Sequence, residues 1–226
     1  MNYLAHGYRH LDRPYFLAGT ALPDWLGVVD RRCRVRTKHV AAWCDVEDVP
    51  LAEFARGVAQ HHFDDGWFHE TQAFFDLSSQ FTAIFRAKLP GDEGMRPSFL
   101  GHILVELLLD DALADESQSL LDRYYRALDG VDPDIIERWV ASMAPSPAVG
   151  LGRFIDLFRQ VRFLYDYRDD AKLCYRLNQV MRRVGLPELP SSIGGVFPPA
   201  RAAVAERLTD LLIGAPAHPI GEEIKR

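Results

Sequence analysis

Two series of histidine and carboxylate residues stand at four-residue spacing in this chain: His61, Asp65 and His69, then His102, Glu106 and Asp110. On a helix, steps of four keep side chains near one face with a drift of about 40° per step. Both series fall where burial is expected. His61 and Asp65 continue the apolar stripe of Leu51, Phe54 and Val58. The second series is the only polar line on a segment containing Phe99, Leu100, Ile103, Leu104, Val105, Leu107, Leu108 and Leu109. A buried imidazole or carboxylate must be paired, hydrogen-bonded or bound to a cation, because an isolated buried charge is too costly. Pairs of this kind on two helices can converge on a metal inside a bundle. Their mixed nitrogen and oxygen donors suit zinc, manganese or iron better than calcium. The competing account is that each pair satisfies itself within the core.

Two further segments bear on this chemistry. His6 and His10 are again four apart on a short opening helix, and Asp24 follows Pro23 at a point where the helix begun by Leu17–Leu22 could end and project a carboxylate. A lone aspartate beside a proline also serves as a cap or turn residue. Arg31, Arg32, Arg34, Arg36 and Lys38 then place five positive charges, with no acid among them, immediately before His39. In a chain of net charge −6 that cluster is a candidate phosphate-recognition patch, because guanidinium groups donate bidentately to phosphate oxygens. A solvated basic face without a ligand is the alternative.

The elements that must position these residues are helices, since apolar residues recur at threes and fours and no β-branched alternation persists. The expected class is all-α. Helices are predicted over residues 50–70, 98–113, 117–128, 132–143, 152–165, 169–184 with Gly185 as its stop, and 198–213 with Gly214 as its stop. Loops rich in proline and glycine are predicted at 90–97, 145–152 and 187–199. With 226 residues, 48% hydrophobic and 26% charged, the chain is long enough for one domain and too apolar for disorder. One compact domain over 1–226 is expected, with 186–226 as a C-terminal extension packed on it.

No apolar run reaches the roughly 18 residues of a membrane span, and the N-terminus lacks secretory features, so a cytoplasmic location is expected. Three cysteines, Cys33, Cys44 and Cys174, have neither the number nor the spacing of a disulfide framework or a cysteine zinc site. The acidic balance argues against nucleic acid as a partner. Seven of the eight histidines lie within residues 1–102.

The opening Met1-Asn-Tyr-Leu-Ala-His6, the segment Leu17-Ala-Gly-Thr-Ala-Leu-Pro-Asp24-Trp-Leu-Gly27, and Gly57-Val-Ala-Gln-His61-x3-Asp65-x3-His69 resemble successive motifs of the acyl carrier protein phosphodiesterases. Phe99-Leu-Gly-His102-x3-Glu106 stands where that family has a second acidic pair, and Tyr167-Arg168-Asp169 with Leu177-Asn178 is similar to its C-terminal motif. The resemblance implies an all-α fold related to the HD-type metal-dependent phosphohydrolases and a divalent metal, often manganese. It also implies hydrolysis of the phosphodiester joining 4'-phosphopantetheine to a carrier-protein serine. His69 and His102 replace acids of the family pattern and His39 has no counterpart in it, which suggests an altered metal preference or substrate. The order His6, Asp24, His39, His61-x3-Asp65, His102-x3-Glu106 also resembles the ligand order of zinc-dependent phospholipase C and related nucleases.

The expectation taken to the structure is a metal-dependent phosphodiesterase holding one or two ions of manganese, zinc or iron. Asp24, His39, His61, Asp65 and His102 are the expected ligands, with His6 and Asp110 as supporting or additional ones. His69 and Glu106 are the expected acid and base, and Arg31, Arg32, Arg34 and Arg36 the phosphate-binding residues. The substrate is a phosphodiester, with holo-acyl carrier protein as the candidate partner. A non-catalytic helical protein whose polar lines form a buried hydrogen-bond network is the reading from another class.

Overall fold

Pro14, Pro97 and Pro133 each open a helix where a missing backbone N–H costs nothing. The computed structural model describes residues 1–89, 94–117 and 119–212. Their helices are α1 (Tyr3–Gly7), α2 (Pro14–Val29), α3 (Thr37–Val40), α4 (Val49–Phe68), α5 (Gln72–Lys88) and α6 (Pro97–Glu116), followed by α7 (Leu120–Asp129), α8 (Pro133–Met143), α9 (Leu151–Val161), α10 (Asp170–Arg183), α11 (Phe197–Glu206) and α12 (Leu208–Leu212). No strand occurs among the described residues, so the class is all-α. No described helix is long and apolar enough to cross a membrane.

Several boundaries follow from local chemistry. Asp132 caps α8 by accepting from the N–H groups of Asp134 and Ile135, and Asp169 caps α10 by accepting from Lys172. Gly185 follows α10 with φ +73, the left-handed conformation glycine supplies cheaply. The helix predicted over 152–165 stops at Val161, because Arg162 turns left-handed at φ 49 and the chain continues as a 3-10 turn over Phe163–Arg168. The one predicted over 198–213 breaks at Arg207 into α11 and α12, and Gly214 lies outside the described residues, as do 90–93 of the predicted loop and His218.

The largest departure is at Pro23, where α2 does not end as expected. An interior proline costs about 3 kcal/mol. Trp25 and Leu26 just beyond it are completely or almost completely buried, and that burial, roughly 1.5–3 kcal/mol for each large apolar side chain, offsets the cost.

The described chain divides into two compact units. One comprises Tyr3–Gly66 and Ser119–Arg162. In it α2 packs against α1, α7 and α9, and α8 packs on α9. Trp25 and Tyr125 both meet Phe158 through ring contacts, at 5.5 and 5.6 Å between centroids. The crossing of α2 over α4 is closer still, backbone against backbone. A Cβ on Gly57 would lie 2.1 Å from the Phe16 carbonyl oxygen, and one on Gly19 would lie 2.2 Å from that of Phe54. Only glycine at both positions allows this approach, which sets Thr20 against His61.

The other unit comprises Met1–Asn2 and the described residues of Trp67–Gln118 and Phe163–Gly214. Here α5 and α6 pack along their lengths, with Gly101 of α6 so close to α5 that a Cβ would sit 2.6 Å from the Ser78 carbonyl oxygen. As expected from its apolar circumference, α6 is buried on most sides, and α11 lies against it through Phe197, Ala200 and Val204. Buried Asp111 on α6 is held by Arg201, which also donates to the Tyr167 carbonyl and Asp170, and by Arg168 at 3.6 Å.

Candidate metal centre

His6 on α1 and His61 and Asp65 on α4 bring three ligand atoms to within 4.8 Å of one another. The Nδ1 of His61 lies 2.8 Å from the Thr20 carbonyl oxygen. A carbonyl only accepts, so this contact puts the proton on Nδ1 and, in the neutral ring, leaves a lone pair on Nε2. That Nε2 points at Asp65 Oδ2, 3.5 Å away. His6 is arranged in parallel. Its Nδ1 faces Asp64 Oδ2 at 3.3 Å, the other oxygen of Asp64 accepts from Gln60 Nε2 at 2.8 Å, and His6 Nε2 lies 3.3 Å from Asp65 Oδ1. Although His6 is 2% exposed, its Nε2 has no hydrogen-bond partner among the described residues.

Two imidazole lone pairs and a carboxylate aimed at one point repel each other unless a cation stands among them. Protonating both rings instead would set two imidazolium ions face to face, since the rings stack at 4.0 Å. The spacing also fits a cation. Donors about 2.1 Å from a tetrahedral ion are about 3.4 Å apart; each ring nitrogen is near that separation from one Asp65 oxygen, His6 Nε2 at 3.3 Å from Oδ1 and His61 Nε2 at 3.5 Å from Oδ2. Asp64 and the Thr20 carbonyl then act as the outer partners that orient metal-bound histidines. Burial works to raise the Asp65 carboxyl; ring N–H groups of His6 and His61 donating to it would hold it far below the usual carboxylate range, a role a bound cation would take over where both rings keep their protons on Nδ1.

His61 and Asp65 of the trio open onto a cavity of about 570 Å³. Its lining includes His61, His62 and Asp65 together with Arg31, Arg34, Arg36 and Lys38. The basic segment and the histidine line, far apart in the chain, thus face one space. Arg32 does not line it and instead grips Asp30 through two 3.1 Å contacts.

In the other unit, His69, His102 and Glu106 form a second group with the spacing to hold an ion. It differs in kind. Glu106 Oε1 receives His69 Nε2 at 2.9 Å, His102 Nε2 at 3.2 Å and the amino group of Met1 at 3.1 Å, so its atoms are matched as donors to one acceptor. Burial alone would raise Glu106, yet the amino group, His102 and His69 together push it far below its ordinary value. A cation here would have to displace protons that already satisfy the carboxylate.

The remaining expected residues are placed as follows. Asp24 lies within α2 and is not part of the trio. His39 stands in α3, where its Nδ1 accepts from the Arg36 backbone N–H at 3.2 Å. His69 lies past the end of α4, so the four-residue spacing that carried His61 and Asp65 does not carry it along that helix face. Asp110 accepts from Asn2 Nδ2 at 2.8 Å, and Asn2 also donates to the Tyr167 hydroxyl at 3.1 Å. Sequence reasoning missed Asp64, Gln60, Thr20 and His62. The Gln60–Asp64 spacing of four was the one visible signal, while the Thr20 carbonyl carries none. Comparison with protein-family models, curated proteins and solved structures finds no match.

Proposed function

We propose that this protein is a metal-dependent phosphodiester hydrolase with its ion at His6, His61 and Asp65. The observation that carries this reading is that two of the trio, His61 and Asp65, line the same cavity as the basic segment. A divalent ion there would lower the pKa of bound water toward neutrality and stabilise charge on the phosphoryl oxygens. The chain's own residues do the rest. Thr20 and Asp64 fix the two rings so that Nε2 faces inward, Asp65 offers its oxygens between them, and the guanidinium groups of Arg34 and Arg36 draw the anionic substrate in. A second ion would be held by His69, His102 and Glu106 once their protons leave.

The resemblance to acyl carrier protein phosphodiesterases, with its implied HD-type relationship, offers the 4'-phosphopantetheine link of holo-acyl carrier protein as substrate. The zinc-dependent phospholipase C and nuclease resemblance offers phospholipid or nucleotide diesters instead. Elemental analysis of protein purified without added metal, then reconstituted with manganese, zinc or iron, should find one or two equivalents. Hydrolysis of bis(p-nitrophenyl) phosphate and of holo-carrier protein is then followed under each metal. His61→Ala and Asp65→Ala should lose metal and turnover while keeping a helical circular-dichroism spectrum. No bound metal after reconstitution would leave the buried hydrogen-bond network as the correct reading.

A further inference from the structure

The basic segment before α3 is held more firmly than a solvated face requires. Cys33 and Val35 are buried and alternate with exposed Arg34 and Arg36, whose side chains line the cavity while that of Arg32 is held by Asp30. Four contacts fix it. The Arg32 N–H donates to Asp30 at 2.9 Å, the Cys33 thiol to the Ser146 carbonyl at 3.1 Å, His62 Nε2 to the Val35 carbonyl at 2.8 Å, and the Arg36 N–H to His39 at 3.2 Å. Among the described residues, Arg34, Arg36 and Lys38 have no carboxylate within 4.0 Å. They line the cavity as unneutralised, pre-positioned cations.

Charge counting then narrows the occupant. Arg34, Arg36 and Lys38 line the cavity against the single carboxylate of Asp65, a surplus of two positive charges before any metal is bound. A divalent ion adds two more. A simple phosphodiester carries one negative charge and would leave most of this surplus unmatched. The cavity's volume of about 570 Å³ lies within the roughly 300–1,000 Å³ of small-molecule pockets, which favours a small ligand over a flat protein surface.

We propose that the occupant is a small organic phosphodiester bearing a second phosphate. Its scissile group lies against His6, His61 and Asp65, and its second phosphate lies among Arg34, Arg36 and Lys38. His62 is a positioning residue that fixes this segment through Val35. The scissile assignment rests on the hydrolase reading, whereas the second-phosphate assignment rests on the charged lining.

The probe pair is thymidylyl-thymidine with and without a 5'-phosphate, which differ by that phosphate alone. In the metal-reconstituted wild type, the phosphorylated dinucleotide should show a kcat/KM roughly tenfold higher or more, the worth of one charge-assisted guanidinium–phosphate contact. Arg34→Gln and Arg36→Gln should each shrink that advantage several-fold, mainly through KM. His62→Leu should do the same, and His62→Gln, which keeps a donor, should restore part of it. Equal kcat/KM for the two dinucleotides in the wild type would overturn the proposal. So would turnover of holo-carrier protein with no preference between them, which would point to an acidic protein surface. If neither dinucleotide is cleaved under any metal, the hydrolase reading fails and calorimetric binding of the same pair decides. Tighter binding of the phosphorylated form, lost in Arg34→Gln, sustains the second-phosphate site, and equal binding removes it.

Discussion

Replacing Gly57 by alanine tests how the fold builds the metal centre. The new Cβ would lie 2.1 Å from the Phe16 carbonyl oxygen and 3.0 Å from Gly19 Cα, both backbone atoms that cannot rotate away. Restoring an ordinary contact requires α2 and α4 to separate by about 1 Å. The His61 Nδ1 contact with the Thr20 carbonyl spans the same crossing at 2.8 Å, so that separation takes it beyond hydrogen-bonding distance. Overpacking and the lost hydrogen bond together should cost about 2–4 kcal/mol in urea-unfolding free energy. Freed from its orienting partner, His61 should bind metal about 10–100-fold more weakly in a competition titration with a chromogenic chelator. Gly66→Ala on the same helix is the control. Nothing lies within 4 Å of its would-be Cβ, so alanine should be neutral or stabilise by up to about 1 kcal/mol and leave metal affinity unchanged. If Gly57→Ala keeps wild-type stability, or loses stability with unaltered metal affinity, the link from helix crossing to site geometry is wrong.

Asp64→Asn removes the carboxylate behind His6 and should lower metal affinity about 10–100-fold, read in the same titration, with little change in helicity. His10 is held below its ordinary pKa by burial first and by Arg13 next. The unfolded state therefore binds the proton more readily, so the protein gains stability as pH rises through the interval up to about 6.5 and loses it as pH falls through that interval. Comparing urea midpoints at pH 5 and 7.5, His10→Leu should show a smaller acid loss than the wild type; an equal loss would contradict the assignment. Arg201→Ala strips buried Asp111 of its closest partner and should cost on the order of 3 kcal/mol in unfolding free energy. Arg201→Met with Asp111→Leu should recover most of that loss, and failure to do so would show that packing, not charge, is at stake.

Much of the fold was legible because local signals and burial agreed. Pro97 followed by an almost wholly apolar run predicts a buried α6, and Asp132-Pro133 predicts the cap of α8; both occur because a helix start depends on the few residues around it. The helix predicted to stop at Pro23 went on, since the burial of Trp25 and Leu26 that outweighs the proline is supplied by residues distant in sequence.

The same division runs through the site. The four-residue spacing of His61 and Asp65 determined by itself that both would share one face, because helix periodicity is a local property. Which further atom joins them was decided only by tertiary structure. Spacing alone would have extended the line to His69, but α4 ends at Phe68 and His6 comes instead. The sequence likewise determined that residues 31–38 would be basic. That four of those cations line the cavity bearing His61 and Asp65 depends on long-range contacts such as His62 to Val35 and Cys33 to Ser146. The convergence of two ring nitrogens on one carboxylate is a property of three-dimensional distances, and no periodicity in the chain encodes it.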